Sequence, residues 1–138
     1  MWWTYALLSA FFASLTAIFA KLGVANVNSN LATAIRTVII TVMIWMIVLM
    51  RHEAKGITML SRNTVLFLFL SGIATGLSWL FYFKAIQLGN ISKVAPIDKL
   101  SVALTIVLAL IFLKEALTWK AAIGAALIIT GTVVLIGK

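Results

Sequence analysis

Five long apolar segments, separated by short polar stretches, divide the chain from one end to the other. A helix rises about 1.5 Å per residue, so about 20 apolar residues cross the roughly 30 Å hydrocarbon core of a bilayer. Each segment is close to that length. Together they predict an all-α integral membrane protein with five transmembrane helices, at residues 3–22, 31–50, 64–83, 94–113 and 121–137.

Polar residues lie where these predicted spans begin. We expect Asn28, Ser61, Asn90 and Thr118 each to supply a side-chain oxygen for the free N–H groups of a helix start. Only residues 51–63 form a connection longer than a turn. We therefore predict a single transmembrane domain over residues 1–138 with short loops.

The composition supports this prediction, because 64% of the residues are hydrophobic and 10% are charged, against about 25% charged in soluble domains. The spans leave no length for a soluble catalytic domain, and no motif supplies a nucleophile with a base. With no cysteine and a lone histidine, His52, we expect no metal and no cofactor. The net charge is +8 but the cations are scattered, so we expect the lipid bilayer as a partner and no nucleic acid.

Polar side chains inside the spans fall on helical stripes. Span three has Ser71, Thr75, Ser78 and Tyr82; span two has Thr33, Arg36, Thr37 and Thr41; and span four has Asp98, Ser101 and Thr105. Such faces either pair helix to helix or line a water-accessible cavity. Hydroxyl groups are easily satisfied by their own backbone, so the charged residues decide between the two.

Five charged residues lie within or at the edge of the spans: Lys21, Arg36, Lys84, Asp98 and Lys99. Simple alternation of the spans places all five in one half of the bilayer, with a summed charge of +3. An ionised side chain there costs several kcal/mol unless it is paired or hydrated. Lys21 and Lys84 are also explained by snorkelling to the interface along their aliphatic stems. For Arg36, snorkelling and a role in a polar site are equally good explanations.

Asp98 is the least compatible with snorkelling, because its side chain is short and no other acid lies inside a span. It either forms a structural salt bridge with Lys99, Lys84 or Arg36, or it completes a solute site and takes up protons for coupling. Pro96 lies two residues earlier. It belongs either to the first helical turn, where proline is tolerated, or to an interrupted helix of the kind that forms transporter sites.

The segment Phe112–Trp119, read with Gly124 and residues 127–131, resembles the closing pattern of the EamA-type domain of the drug/metabolite transporter superfamily. Residues 78–86 followed by Gly89 resemble that family's third helix and its following turn. The resemblance spans the whole chain. Lys114 departs from the pattern, since members commonly have glycine before the glutamate.

The resemblance implies that this chain is half of a ten-helix inverted-repeat transporter fold. Larger members hold two five-helix domains in opposite orientation, so a homodimer, with the second copy inserted antiparallel, would complete the fold. One side of the membrane receives five Lys and Arg residues and the other six, if Arg36 and Lys99 count with their nearest end. This balance enforces no single orientation, so we expect dual topology. The expected location is a prokaryotic plasma (inner) membrane.

The sequence thus predicts a half-size secondary transporter for a small anionic or zwitterionic organic metabolite, working by alternating access, and not an enzyme. The alternative is a lipid-linked substrate flippase or an accessory membrane subunit. The family resemblance places the solute cavity among helices one, three and four. The candidate substrate-binding residues are Lys21, Arg36, Ser78, Trp79, Tyr82, Lys84, Asp98 and Lys99, with Asp98 also the proton-coupling candidate. Trp79 is read either as a lid or as an ordinary lipid or packing contact.

Overall fold

The computed structural model describes residues 1–137; Lys138, the last residue of the predicted domain, lies outside the described residues. Within this part of the chain all regular structure is helical and there are no strands. The helices are α1 (Trp2–Gly23), α2 (Ser29–Met50), α3 (Arg62–Leu88), α4 (Ile91–Asp98), α5 (Leu100–Leu108) and α6 (Trp119–Ile136). A 3₁₀ segment, Glu53–Met59, lies in the loop after α2, and a π-helical turn, Ala109–Leu113, follows α5.

Five helical stretches are long and apolar enough to cross a membrane, because α4, α5 and the π turn together form one of them, Ile91–Leu113. The predicted fold class is therefore confirmed. Side-chain caps begin three of the stretches. Asn28 Oδ1 accepts from the Asn30 amide at 2.9 Å, Ser61 Oγ from Thr64 at 3.1 Å, and Thr118 Oγ1 from Ala121 at 3.2 Å.

The chain divides into two compact units, with the boundaries inside α1 and at the end of α3. The first unit comprises Met1–Ile18 and Leu88–Lys138, and the second is Phe19–Gln87. In the first unit, α6 packs against both α4 and α5. Its buried residues are Ala103 on α5 and Thr132 on α6.

Packing in the second unit is concentrated at one end. Its buried residues are Val24, Ser29, Thr33, Phe83 and Ile86, which come from the end of α1, the start of α2 and the end of α3. Residues 41–47 of α2 and residues 62–78 of α3 are all exposed. The packed end is the one that carries the predicted charged residues Lys21, Arg36 and Lys84.

Candidate functional site

Arg36 is the centre of the best-defined polar site in the second unit. It is the eighth residue of α2, about 10 Å from the helix start at 1.5 Å per residue. Its guanidinium carbon lies over the Trp79 ring, 4.1 Å from the centroid, and 5.4 Å from the centroid of Phe83. Trp79 and Phe83 are four residues apart on α3, so both rings present to the same side. The two rings form a shelf beneath the cation, which we call the Arg36 shelf.

Two of the predicted site residues, Arg36 and Trp79, thus come together, and Trp79 is a packing contact of the cation. Sequence reasoning missed Phe83, although its spacing of four residues from Trp79 was a usable signal. Tyr82, which directly precedes Phe83 on the same helix, is half-buried. A cation over an aromatic face gains about 0.5–2 kcal/mol, depending on how far it is desolvated.

No acidic side chain neutralises Arg36 within its unit. The only acid of the second unit is Glu53, and it lies 3.6 Å from Arg51 in the long loop. The site is therefore electropositive. Among residues 1–137, no three His, Cys, Asp or Glu side chains are grouped so as to hold a metal ion.

The hydroxyl groups near Arg36 bond to their own helix. Thr33 Oγ1 donates to the Ser29 carbonyl and Thr37 Oγ1 to the Thr33 carbonyl, both at 2.8 Å. The same pattern recurs at Thr75 on α3 and Thr105 on α5. These threonines therefore require no ligand, and the guanidinium is the group that distinguishes this site.

Lys21 and Gln87 join the ends of α1 and α3. Lys21 Nζ donates to the Ile86 carbonyl, and Gln87 Nε2 donates to the carbonyls of Val24 at 3.2 Å and Val27 at 2.8 Å. Carbonyls at and beyond a helix C-terminus lack helical partners, so these donors satisfy the carbonyls of Ile86 and Val27, while the Val24 carbonyl also accepts a long bond of 3.5 Å from the Val27 amide. We call these contacts the strap. Gln87 was not among the predicted residues, because a single polar residue at a helix end resembles any interfacial residue.

Two predicted residues on α3 stay outside these contacts. Ser78 is exposed. Lys84 is also exposed, and five residues on an α-helix place it about 140° around the axis from Trp79. This position agrees with the snorkelling interpretation of Lys84.

In the first unit, Asp98 and Lys99 lie where the fourth span is interrupted. Pro96 is the sixth residue of α4, not part of its first turn, and α4 ends at Asp98 while α5 begins at Leu100. The interrupted-helix interpretation of Pro96 is therefore the correct one. Lys99 Nζ lies 3.2 Å from Asp98 Oδ2, so of the predicted partners Asp98 is paired with Lys99. The Asp98 side chain is 36% exposed and that of Lys99 59%.

A buried hydroxyl supports this interruption. Thr132 Oγ1 on α6 lies 3.2 Å from the Pro96 carbonyl oxygen and 2.8 Å from that of Ile128. Thr132 is only 4% exposed. The contact fixes the broken segment against α6 and leaves the Asp98–Lys99 pair on a less regular stretch of backbone.

The segment Phe112–Trp119 lies beside a groove of about 190 Å³ in the first unit. The groove is lined by Thr105, Ile106, Ala109, Leu110, Glu115, Ala116, Leu117 and Ala121. The π-helical turn ends at Lys114, which has φ 53° and ψ 31°. This left-handed conformation favours glycine, which explains physically why glycine suits that position and why Lys114 is strained there.

Comparison with known proteins agrees with this architecture. The model of the EamA-like transporter family matches residues 1–137. A protein of Sinorhizobium sp. described as an uncharacterized transporter in the cobO 3'region is 47% identical over 134 residues, covering 97% of this chain and 95% of its own length. An uncharacterized protein of Methanocaldococcus jannaschii is 30% identical over 97 residues, covering 70% of this chain and 69% of its own length. No solved structure matches the chain.

The family match and the match to the Sinorhizobium protein both cover nearly the full length of the chain. The family is one of transporters and the Sinorhizobium relative is described as a transporter, so both point to a transporter and not to an enzyme. The five apolar helices make it an integral membrane protein. This chain belongs to the EamA-like transporter family.

Proposed function

We propose that this transporter is a secondary carrier for a small anionic or zwitterionic organic metabolite in a prokaryotic plasma membrane. The observation that supports the proposal is the Arg36 shelf. It keeps a permanent cation inside a membrane span, while the only acid of its unit pairs elsewhere. A positive site of this kind attracts an anionic group and repels a cation.

The working unit we propose is an antiparallel homodimer. Five spans are an odd number, so a second copy completes an inverted repeat only when it enters the membrane upside down. The nearly balanced Lys and Arg count permits both orientations. The exposed surfaces of α2 and α3 away from the packed end offer apolar area to such a copy.

Alternating access then follows from symmetry. In the second unit, the strap and the buried residues hold one end together, while residues 41–47 and 62–78 are exposed towards the other. Two inverted copies that exchange open and closed ends would present the solute site first to one side of the membrane and then to the other. The Asp98–Lys99 pair is the proposed coupling element, since protonation of Asp98 would release the charge of Lys99.

The test is solute exchange in proteoliposomes with a labelled panel of monocarboxylates, dicarboxylates and amino acids. We expect counterflow of at least one class, and loss of that counterflow in Asp98→Asn with the protein still folded. Unchanged rates at every pH in this variant would remove Asp98 from the mechanism. Absence of all counterflow, together with binding of a polyprenyl phosphate, would instead support a lipid-linked flippase or accessory subunit.

Orientation is tested with single cysteines, since the chain has none of its own. Ser61→Cys precedes α3 and Asn90→Cys follows it, so the two report opposite membrane sides. Mixed topology predicts that an impermeant maleimide labels a fraction of each variant in intact cells. Complete labelling of one variant and none of the other would contradict the antiparallel homodimer.

A further inference from the structure

Arg36 has hydrogen-bond donors that residues 1–137 do not satisfy. A guanidinium carries five N–H groups in a planar fork and no acceptor. Within the described residues Arg36 contacts the two aromatic rings, but it forms no ion pair and no hydrogen bond. A ring face attracts the cation without accepting the paired in-plane bonds that a carboxylate accepts.

The position of Arg36 makes these open donors costly. The residue is half-buried and about 10 Å into a helix that crosses the membrane. Polar groups at such depth are normally paired, or they face water or a ligand. An acceptor for Arg36 therefore comes from outside the described chain, as water or as a ligand.

The charge of the surroundings selects the kind of acceptor. The neighbouring hydroxyls of Thr33 and Thr37 donate within their own helix, and the Lys21 ammonium bonds the Ile86 carbonyl. The Arg36 guanidinium carries one positive charge and therefore matches a single negative charge. Its planar fork matches an oxyanion that presents two oxygens in one plane.

We infer that Arg36, backed by Trp79 and Phe83, is an oxyanion subsite that binds the carboxylate of the solute through the edge of its guanidinium. The assignment of this carboxylate to a transported solute rests on the proposed function, whereas the oxyanion subsite does not. The same chemistry is offered by the phosphodiester of an anionic lipid. The experiment therefore contains an arm for each source.

The test is isothermal titration of purified, detergent-solubilised protein. The probes are benzoate and hexanoate, their neutral amides benzamide and hexanamide, and short-chain phosphatidylglycerol. We expect the carboxylates to bind and the amides to bind at least tenfold more weakly. Arg36→Gln should weaken carboxylate binding at least tenfold, whereas Lys93→Gln, which removes an exposed cation from α4, should leave it unchanged.

Arg36→Lys keeps the charge and the aromatic contact but lacks the planar fork. It should reduce the preference for carboxylate over amide even if Arg36→Gln fails to fold. Binding of phosphatidylglycerol without binding of either carboxylate would overturn the solute assignment. Equal carboxylate affinity in the wild type and both Arg36 variants would overturn the subsite itself.

The two proposals fail in different ways. Carboxylate binding that depends on Arg36, with no counterflow in proteoliposomes, would contradict the carrier function and keep the subsite. Carboxylate counterflow that is unchanged in Arg36→Gln would contradict the subsite and keep the carrier function.

Discussion

Replacing Gln87 with methionine should weaken the packed end of the second unit. Methionine has a similar length and removes the amide donor, so the change deletes the bonds to the Val24 and Val27 carbonyls while keeping most of the packing. A typical intramolecular hydrogen bond contributes about 0.5–1.5 kcal/mol net. Loss of both should lower the free energy of unfolding by about 1–3 kcal/mol.

The assay is reversible unfolding of the purified protein in mixed detergent micelles with increasing SDS, followed by circular dichroism. Asn90→Ala is the matched control, because this exposed amide three residues further along makes no capping bond at the start of α4. It should change the unfolding free energy by less than about 0.5 kcal/mol. A Gln87→Met variant as stable as this control would refute the idea that the strap holds the two helix ends.

The strap also predicts a change in access. Ile86 is fully buried, with 0% exposure, and its carbonyl accepts from Lys21. In the chain without other cysteines, Ile86→Cys should react slowly with a maleimide, and adding Gln87→Met should raise that rate severalfold. An unchanged rate would mean that the packed end stays closed without the glutamine bonds.

Two further substitutions test the backbone of the first unit by the same unfolding assay. Lys114→Gly should raise the free energy of unfolding by about 0.5–1 kcal/mol, because glycine removes left-handed strain of about 1–2 kcal/mol but costs chain entropy. Lys114→Ala keeps a Cβ atom and should give no gain; equal gains would assign the effect to the lysine charge. Thr132→Val should cost about 1–2 kcal/mol, since it removes a buried hydroxyl that contacts the Pro96 carbonyl. The exposed Thr130→Val, which loses only a bond to its own helix, should cost less than half as much.

The sequence was sufficient for the number and type of the spans, because crossing a bilayer demands long apolar helices whatever their partners are. It was also sufficient for caps such as Asn28 and Thr118, since capping is local. The partners of Gln87 and Thr132 were not predictable, because those contacts join residues 60 or more and 36 positions apart. A stripe shows which face of a helix is polar, but not which helix it meets.

The same limit explains why the charged residues of the two units, each described by itself, needed the structure before their roles could be distinguished. Asp98 and Lys99 neutralise each other as neighbours, so a solute would have to displace an existing ion pair to bind either of them. Arg36 is held by aromatic rings, which stabilise the cation by about 0.5–2 kcal/mol and leave its positive potential in place. A carrier must release its solute in every cycle, so a modestly stabilised cation is better suited to binding than one locked to a carboxylate. Solute affinity should therefore depend on Arg36, while the role we propose for the Asp98–Lys99 pair is in coupling.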